Sequence, residues 1–194
     1  MVKAGFIVEG TSDLIVLKAE KFQKYLFHKL GITSSEEWII GGRGKSNIKK
    51  NFKSFINRLD QEVDFVFIMI DQDDKEQQRK NRKYKPVDCP LITVNEIISY
   101  GGNKHNISDN LIFIVMTREF EAWLIADKSL GFTYDGNPEE IINPSDFIGK
   151  QLRTSSHIMI ANLFKDKFSI ERAAKNAKSA NRFLLKLREI QNKP

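Results

Sequence analysis

The sequence has almost none of the residues that build disulfides or zinc sites. One cysteine, Cys89, stands among 194 residues, and the three histidines are scattered without the spacing of zinc ligands. A single cysteine excludes an internal disulfide framework, and tetrahedral zinc sites need clustered Cys or His side chains. A metal ion bound by this chain is therefore expected to be held by oxygen atoms.

Long apolar runs are also missing. No segment approaches the roughly 18 apolar residues of a membrane span, and Met1–Val8 lacks the charged start and long apolar stretch of a secretory signal. These absences predict a cytoplasmic protein with no membrane partner. The length is enough for one domain with a full core and a small appendage.

Acidic residues are scarce at the end of the chain, where most of the positive charge lies. The net charge is +6, and residues 165–194 hold nine Lys or Arg against three Asp or Glu, an excess equal to that of the whole chain. A helix over Ser169–Gln191 would place four cations in a stripe roughly 80° wide, opposite an apolar face. These candidate contacts to nucleic-acid phosphates are Lys175, Lys178, Arg182 and Lys186.

What the chain does have is two acidic clusters, each at the end of a hydrophobic run. Glu9-Gly10-Thr11-Ser12-Asp13 follows Ala4–Val8, and Asp71-Gln72-Asp73-Asp74 follows Phe65–Ile70. The second run is continuously apolar, which is typical of a parallel strand covered on both faces. Ligands of open α/β sheets bind beyond the carboxyl ends of such strands. Asp71 and Asp73 alternate, so in extended backbone they point the same way and could share a hard cation.

The elements around these clusters predict an α/β fold with a parallel sheet. The first half reads as strand Ala4–Val8, a helix over Asp13–Leu30 capped by Thr11 or Ser12 and stopped by Gly31, strand Trp38–Ile40, a helix from Ser46 or Asn47 to Leu59, and strand Phe65–Ile70. Asp74–Lys85 is either a solvated helix or a loop, and Leu91–Tyr100 is either helix or strand.

The second half predicts one more strand and a helical end. Strand Leu111–Met116 is followed by a helix over Glu119–Ala126, the connection Gly131–Pro144, and helices near Ser155–Phe164 and Ser169–Gln191. We therefore divide the chain into an α/β core, residues 1–130, and a basic helical extension packed on it, residues 131–194. His157 begins one of the helices near Arg153, where it is a secondary candidate for contacting phosphate.

The two acidic clusters resemble those of the Toprim domain found in topoisomerases, primases and OLD-type nucleases. The matching residues are Glu9, Gly10, Asp13, Asp71 and Asp73, within a likeness that covers residues 2–74 by motif and 111–127 more loosely. In that family the Glu after the first strand and the Asp-x-Asp after the third bind magnesium. The resemblance implies a compact parallel sheet with flanking helices and a site for Mg²⁺ or Mn²⁺.

A narrower likeness lies in residues 115–127, which contain the segment Glu121-Ala122-Trp123-Leu124. It resembles small stand-alone Toprim-like proteins that are often encoded among prokaryotic defence genes. The resemblance implies that Glu121, and to a lesser degree Glu119, faces the acidic cleft. It also implies a toxin-like or antiviral nuclease, with a regulatory partner protein as one arrangement.

The predicted chemistry is phosphodiester hydrolysis of DNA or RNA. Divalent ions neutralise phosphate charge and activate water, and magnesium prefers carboxylate oxygens with several waters. We predict Glu9, Asp71, Asp73 and Glu121 as catalytic residues and Glu9, Asp13, Asp71 and Asp73 as metal ligands. Glu9 is either a ligand or the general base. The alternative is a non-catalytic Toprim-like module that binds nucleic acid or docks a partner.

The segment Gly41-Gly42-Arg43-Gly44-Lys45-Ser46 leaves three interpretations open. Gly-Lys-Ser between a strand and a helix is typical of a Walker A loop, but Ile39 stands where that pattern requires its first glycine. A second interpretation is a turn that binds nucleic-acid phosphate through backbone N–H groups, Arg43 and Lys45. The third is a flexible connector.

Overall fold

The computed structural model describes residues 1–72, 90–100 and 108–193. Five parallel strands form the sheet: β1 (Val2–Val8), β2 (Ile32–Thr33), β3 (Ile39–Gly41), β4 (Phe65–Asp71) and β5 (Leu111–Met116). Their order is β2-β1-β4-β5, and β3 also pairs with β1, beyond the short β2 on the same edge. This confirms the predicted α/β class with a parallel sheet, flanking helices and a helical C-terminal region. Asp73, Asp74–Lys85, Cys89 and His105 lie outside the described residues.

The helices of the described ranges alternate with the strands and then follow one another to the C-terminus. They are α1 (Thr11–Lys18), α2 (Glu20–Leu30), α3 (Lys45–Leu59), α4 (Pro90–Tyr100), α5 (Glu121–Ala126), α6 (Pro144–Leu152), α7 (His157–Phe164), α8 (Ile170–Ala173) and α9 (Lys178–Gln191). Residues 91–100, which the sequence leaves open between helix and strand, are thus helical. None of the helices in these ranges is long and apolar enough to cross a membrane.

Both faces of the sheet are covered, as the continuous apolar strands require. Alternate strand residues point to opposite faces. Phe6 and Phe67 belong to the face that packs against α1, α2, α5 and the C-terminal helices. Ile7 and Ile68 belong to the other face, under α3 and α4. The larger of the two cores therefore includes residues from both ends of the chain.

The C-terminal helices dock on the sheet through Trp123 of α5 and Phe183 of α9. The two rings stack with centroids 5.6 Å apart, and Phe183 also meets Phe6 of β1 edge to face. The indole N–H of Trp123 donates to Ser179 Oγ over 2.7 Å, so the buried polar edge of the ring is satisfied. The predicted apolar face of α9 is confirmed, because Ala180, Phe183, Leu184 and Leu187 are all buried.

The sequence predicts two long continuous helices, and both predictions are wrong because each segment is interrupted. The helix predicted over Asp13–Leu30 breaks at Ala19, whose backbone is extended with φ −63° and ψ 140°. Gln23 Nε2 donates to the carbonyl of Leu17 over 2.6 Å and satisfies the end of α1. Neither proline nor glycine marks this break, and a contact made only in the folded chain supports it. Gly31 does end α2 in the left-handed conformation, as predicted.

The helix predicted over Ser169–Gln191 is also interrupted, between Ala173 and Lys178. The carboxylate of Glu139 accepts the backbone N–H groups of Lys178 and Ser179, both over 2.8 Å, and so caps α9 from forty residues away. Such a distant cap leaves no local sequence signal. The sequence also did not predict the helix α6 or the two-residue strand β2. The predicted side-chain caps of α1 and α3 are wrong, because Gly10 and Gly44 occupy the N-cap positions.

Candidate functional site

A cleft of about 610 Å³ lies at the carboxyl ends of the parallel strands. Glu9 directly follows β1, Asp71 ends β4, and Glu121 begins α5 shortly after β5. These three carboxylates line the cleft together with Asp13 of α1. The structure thus brings together four of the five acidic residues predicted for the site, and the fifth, Asp73, is outside the described residues.

Strand register explains how Glu9 and Asp71 meet. Val8 of β1 pairs with Met69 of β4, so the two strands end side by side. The backbone N–H of Asp71 donates to Oε2 of Glu9 over 3.0 Å, and the N–H of Glu9 donates to the carbonyl of Met69 over 3.2 Å. The Glu9 carboxylate is therefore held across the end of β4. Asp71 is two residues after Met69 and therefore points to the same face of the sheet, the face covered by α1 and α5.

Asp13 and Asp71 each have a buried oxygen without a hydrogen-bond partner. Asp13 is 1% exposed, and its Oδ2 accepts a long 3.4 Å hydrogen bond from the N–H of Gly10. Its Oδ1 and the Oδ1 of Asp71 are buried and unpartnered. Burial, together with the neighbouring carboxylates Glu121 and Glu9, raises the pKa of Asp13 to about 8.

The environment of Asp71 is similar. Its burial, followed by the charges of Glu9, Asp13 and Glu121, raises the pKa of Asp71 well above its ordinary value, although Lys45 opposes the shift. Without a counter-ion these acids resist ionisation, and a bound cation would let both ionise. Buried carboxylate oxygens with raised pKa values and open coordination positions fit a hard divalent ion.

Glu121 has a different environment from Asp13 and Asp71. Its Oε1 accepts a hydrogen bond from Ser12 Oγ over 2.7 Å and lies 2.9 Å from His157 Nδ1. Burial alone would raise the pKa of Glu121, but the hydrogen bonds from His157 and Ser12 outweigh it and leave the pKa below its ordinary value. Glu121 is therefore an ionised, fully oriented carboxylate at the wall of the cleft.

The described residues do not complete a metal site by themselves. Among them, no group of three or more His, Cys, Asp or Glu side chains is arranged to hold a metal ion. Magnesium sites commonly use one or two carboxylates, with waters and substrate phosphate as the other ligands. The open oxygens of Asp13 and Asp71 match that partial ligand set, and Asp73 follows Asp71 by two positions.

Residues 41–44 use two of their backbone N–H groups to hold the end of β1. The N–H groups of Gly42 and Gly44 donate to the carbonyls of Val8 and Glu9, over 2.7 and 3.0 Å. A Cβ on Gly42 would lie 2.2 Å from Ile48 Cγ1, and Gly44 has a φ of 97°. The loop is therefore an anchored turn that fixes the strand bearing Glu9. Exposed Arg43 lines the cleft, and Lys45 acts on Asp71 through its charge.

Glu119 serves mainly to hold α6. It is 6% exposed and lines the cleft, but its Oε2 accepts the backbone N–H of Ser145 over 3.1 Å in the first turn of α6. A carboxylate at a helix N-terminus is favourable whatever the function. Glu121 of the same segment accepts a hydrogen bond from Ser12, another residue that lines the cleft.

The predicted basic stripe is only partly realised. Lys178, Arg182 and the apolar positions lie on α9 as expected, and both cations are exposed. The prediction that Lys175 shares this helix is wrong, because the chain turns between α8 and α9. Lys186 is on the helix but pairs with Glu189. Of the four cations predicted for the stripe, Lys178 and Arg182 therefore remain as exposed cations on one helix.

Two residues of the site, Ser12 and His157, have no sequence signal that connects them to Glu121. They lie 109 and 36 residues from it along the chain. Ser12 would ordinarily be taken for a helix cap, and His157 stands alone at a helix start. Only the packing of α1 and α7 beside α5 brings their polar atoms onto one carboxylate oxygen.

Comparisons with known protein families, curated proteins and solved structures find no match to this chain. The Toprim resemblance stays a prediction from the sequence motifs.

Proposed function

We propose that this protein is a Mg²⁺- or Mn²⁺-dependent nuclease that hydrolyses phosphodiester bonds of DNA or RNA. One observation carries the proposal: the ends of two parallel strands and a helix bring Glu9, Asp71 and Asp13 into one cleft, where two buried carboxylate oxygens lack partners. Buried polar groups are normally hydrogen-bonded, so two open oxygens in a single cleft indicate a missing ligand. A cation satisfies both oxygens and relieves the repulsion between their side chains.

Glu9, Asp13 and Asp71, with Asp73, are the residues that would hold the ion. When bound, the ion would neutralise phosphate charge and lower the pKa of a coordinated water. Glu9 is fixed by the N–H of Asp71 and acts as ligand or general base. Arg43 lines the cleft, where its charge attracts the phosphates of the substrate.

The test is incubation of the purified chain with plasmid, single-stranded DNA and total RNA, in Mn²⁺ or in chelator. We expect cleavage in Mn²⁺ and none in chelator. Asp71→Asn should abolish it, whereas Asp135→Asn, a change of the same kind at an exposed acid of the connection before α6, should not. Full activity of Asp71→Asn would contradict the proposed site. Thermal unfolding in chelator checks that both variants are folded.

A second candidate is a module that binds nucleic acid without cutting it. The observation in its favour is that the described residues alone form no group of three metal-binding side chains. In this case the chain would slow the migration of nucleic acid in a gel, both in chelator and in Mn²⁺, and the nucleic acid would remain uncut. Binding with no cleavage of any of the three substrates would favour this candidate over the nuclease.

The cellular setting follows from the sequence resemblance. We propose a cytoplasmic protein of a prokaryotic defence or toxin-like system, in which a partner protein restrains the nuclease. Co-expression with the product of an adjacent gene should then reduce the toxicity of the active chain, and Asp71→Asn should not be toxic alone. Equal toxicity of the parent and Asp71→Asn would remove nuclease activity as its cause.

A further inference from the structure

We infer that His157, oriented by Glu121, is the general acid that protonates the leaving oxygen of the cleaved phosphodiester. The inference depends on the proposed nuclease function and adds a catalytic residue outside the acidic motifs. It is based on the position of the imidazole between a buried carboxylate and the open cleft.

The two side chains of the His157–Glu121 contact differ in how far they are buried. The Glu121 side chain is 4% exposed and the His157 side chain is 51% exposed, while Nδ1 and Oε1 are 2.9 Å apart. Ser12 Oγ donates to the same oxygen, so the carboxylate is fixed from two sides. With Nδ1 directed at Glu121, the imidazole presents its other nitrogen, Nε2, from the opposite edge of the ring. The ring itself lines the cleft that holds Glu9, Asp13 and Asp71.

The carboxylate of Glu121 at Nδ1 is a suitable partner for an imidazolium. Glu121 remains ionised because its hydrogen bonds outweigh its burial, and an ionised carboxylate at Nδ1 stabilises an imidazolium. An imidazolium carries an acidic proton on Nε2 as well as on Nδ1. The other titratable or charged groups that line the two cavities next to His157 are Glu9, Asp13, Asp71, Glu119 and Arg43 on one side and Asp146, Lys150 and Arg153 on the other.

A second cavity next to the acidic cleft offers a path for the leaving strand. It has a volume of about 330 Å³, adjoins the acidic cleft through Ser155 and His157, and contains Lys150 and Arg153. A phosphate backbone that crosses from the acidic cleft toward these cations would pass over the imidazole. His157 lies where the two cavities meet, so a leaving oxygen at that junction would be next to its ring.

The proton balance of the step is complete. The oxygen of water forms a bond to phosphorus while the bond from phosphorus to the leaving oxygen breaks. The electron pair of the broken bond stays on the leaving oxygen, which takes the proton from Nε2 of His157. The attacking water gives its proton to Glu9, the candidate base, and both residues then exchange protons with solvent. Nothing is oxidised or reduced.

The test compares two substrates that differ in their leaving group. The leaving group of an oligonucleotide is an alkoxide, which needs a proton. The leaving group of a 4-nitrophenyl phosphodiester is a stable phenolate, which does not. We expect His157→Ala to lower the cleavage rate of the oligonucleotide by about a hundredfold or more. On the nitrophenyl ester it should stay within a few-fold of the parent. His28→Ala, at an exposed position of α2, is the matched control.

A further readout is the pH profile of the oligonucleotide reaction. The parent should lose rate at alkaline pH as the general acid deprotonates, and His157→Gln should lose that limb of the profile. Glu121→Gln should lower the oligonucleotide rate more than the nitrophenyl rate, because Glu121 acts through His157.

The outcomes separate the two proposals. If His157→Ala slows both substrates equally, or neither, the general acid is another group and the inference is overturned while the nuclease remains. If the parent cleaves neither substrate in Mn²⁺, the nuclease proposal fails and the role of His157 fails with it. Thermal unfolding in chelator checks that His157→Ala and His157→Gln are folded, and a modest loss of stability is expected because Glu121 keeps its hydrogen bond from Ser12.

Discussion

Buried acids in this protein occur in two contrasting settings. Asp127 and Glu139, 0% and 4% exposed, hold the C-terminal helices, whereas Asp13, 1% exposed, lines the cleft. Asp127 accepts hydrogen bonds from Arg172 Nε and NH2 over 2.7 and 2.9 Å and from the N–H of Ser169 over 2.8 Å. Asp13 accepts one long bond and has an unpartnered oxygen.

The difference separates the acids that stabilise the fold from those that are available to a ligand. Glu139 accepts from both the N–H and the hydroxyl of Ser179, which also binds the indole of Trp123. This network fixes α9 against α5. In the cleft, by contrast, burial and neighbouring carboxylates raise the pKa of both Asp13 and Asp71, so each resists the charge that it would carry. We therefore expect substitutions in the two settings to have opposite consequences for stability and activity.

The largest expected effect is on activity at Glu9. Glu9→Gln keeps the size of the side chain and its bond to the N–H of Asp71 but removes the charge. Cleavage should fall by about a hundredfold or more, while binding of an oligonucleotide and the melting temperature stay close to those of the parent. The measurement is initial cleavage rate beside fluorescence anisotropy. Glu140→Gln, at an exposed position, serves as control, and rates within a few-fold of the parent would reduce Glu9 to a turn residue.

The largest expected effect on stability is at Asp127. Asp127→Ala removes five hydrogen bonds and leaves Arg172 without its acidic partner. Because the Arg172 side chain is 40% exposed and can rehydrate, we expect a loss near the lower end of the range for broken buried pairs, about 3 kcal/mol. Urea unfolding measures it, with Asp135→Ala as the exposed control. If Asp127→Ala loses no more free energy of unfolding than the control, the hydrogen bonds of Asp127 do not stabilise the fold.

A smaller effect on stability is expected from pH at Asp13. Its pKa is raised to about 8 in the folded chain, so between about pH 4 and pH 8 the folded state binds a proton that the unfolded state has lost. Stability of the metal-free chain should be highest near pH 4 on this account and fall as pH rises to about 8. Asp13→Asn should flatten that decline, and Mn²⁺ should reduce it in the parent but not in the variant.

Urea unfolding in chelator at several pH values, repeated with Mn²⁺, provides the measurement. The decline should extend over the whole interval from about pH 4 to pH 8, because the folded state keeps its proton until the pH approaches the raised pKa. An equally steep decline in the parent and in Asp13→Asn would assign the pH dependence to other groups.

The smallest expected effect concerns the exposed cations of α9. Lys178→Gln with Arg182→Gln should leave the melting temperature unchanged, because neither side chain is buried. If both contact duplex DNA, the slope of log affinity against log salt should flatten by about 0.9 per contact, or nearly 2 for the pair. Lys186→Gln should change it less, since Lys186 pairs with Glu189. The measurement uses Asp71→Asn as the uncleaving background, and an unchanged slope would mean that the stripe is only solvated.

Much of the fold was predictable because the strands carry strong local signals. Phe65–Ile70 and Leu111–Met116 are short, continuously apolar and followed by polar turns, and both are buried parallel strands whose bounds differ from the prediction by one residue at most. The breaks at Ala19 and before Lys178 were not predictable. They depend on hydrogen bonds from Gln23 and Glu139 that exist only after the chain has folded.

The sequence by itself determined that acidic residues follow the apolar strands, and the rule that parallel strands end at one edge then places Glu9 and Asp71 together. Only the tertiary structure decided which carboxylates have partners. Ser12 and His157 reach Glu121 from distant segments, whereas one oxygen each of Asp13 and Asp71 is buried without a donor. The physical reason is that burial and hydrogen bonding depend on the packing of α1, α5 and α7 around the strand ends, and no local pattern encodes that packing.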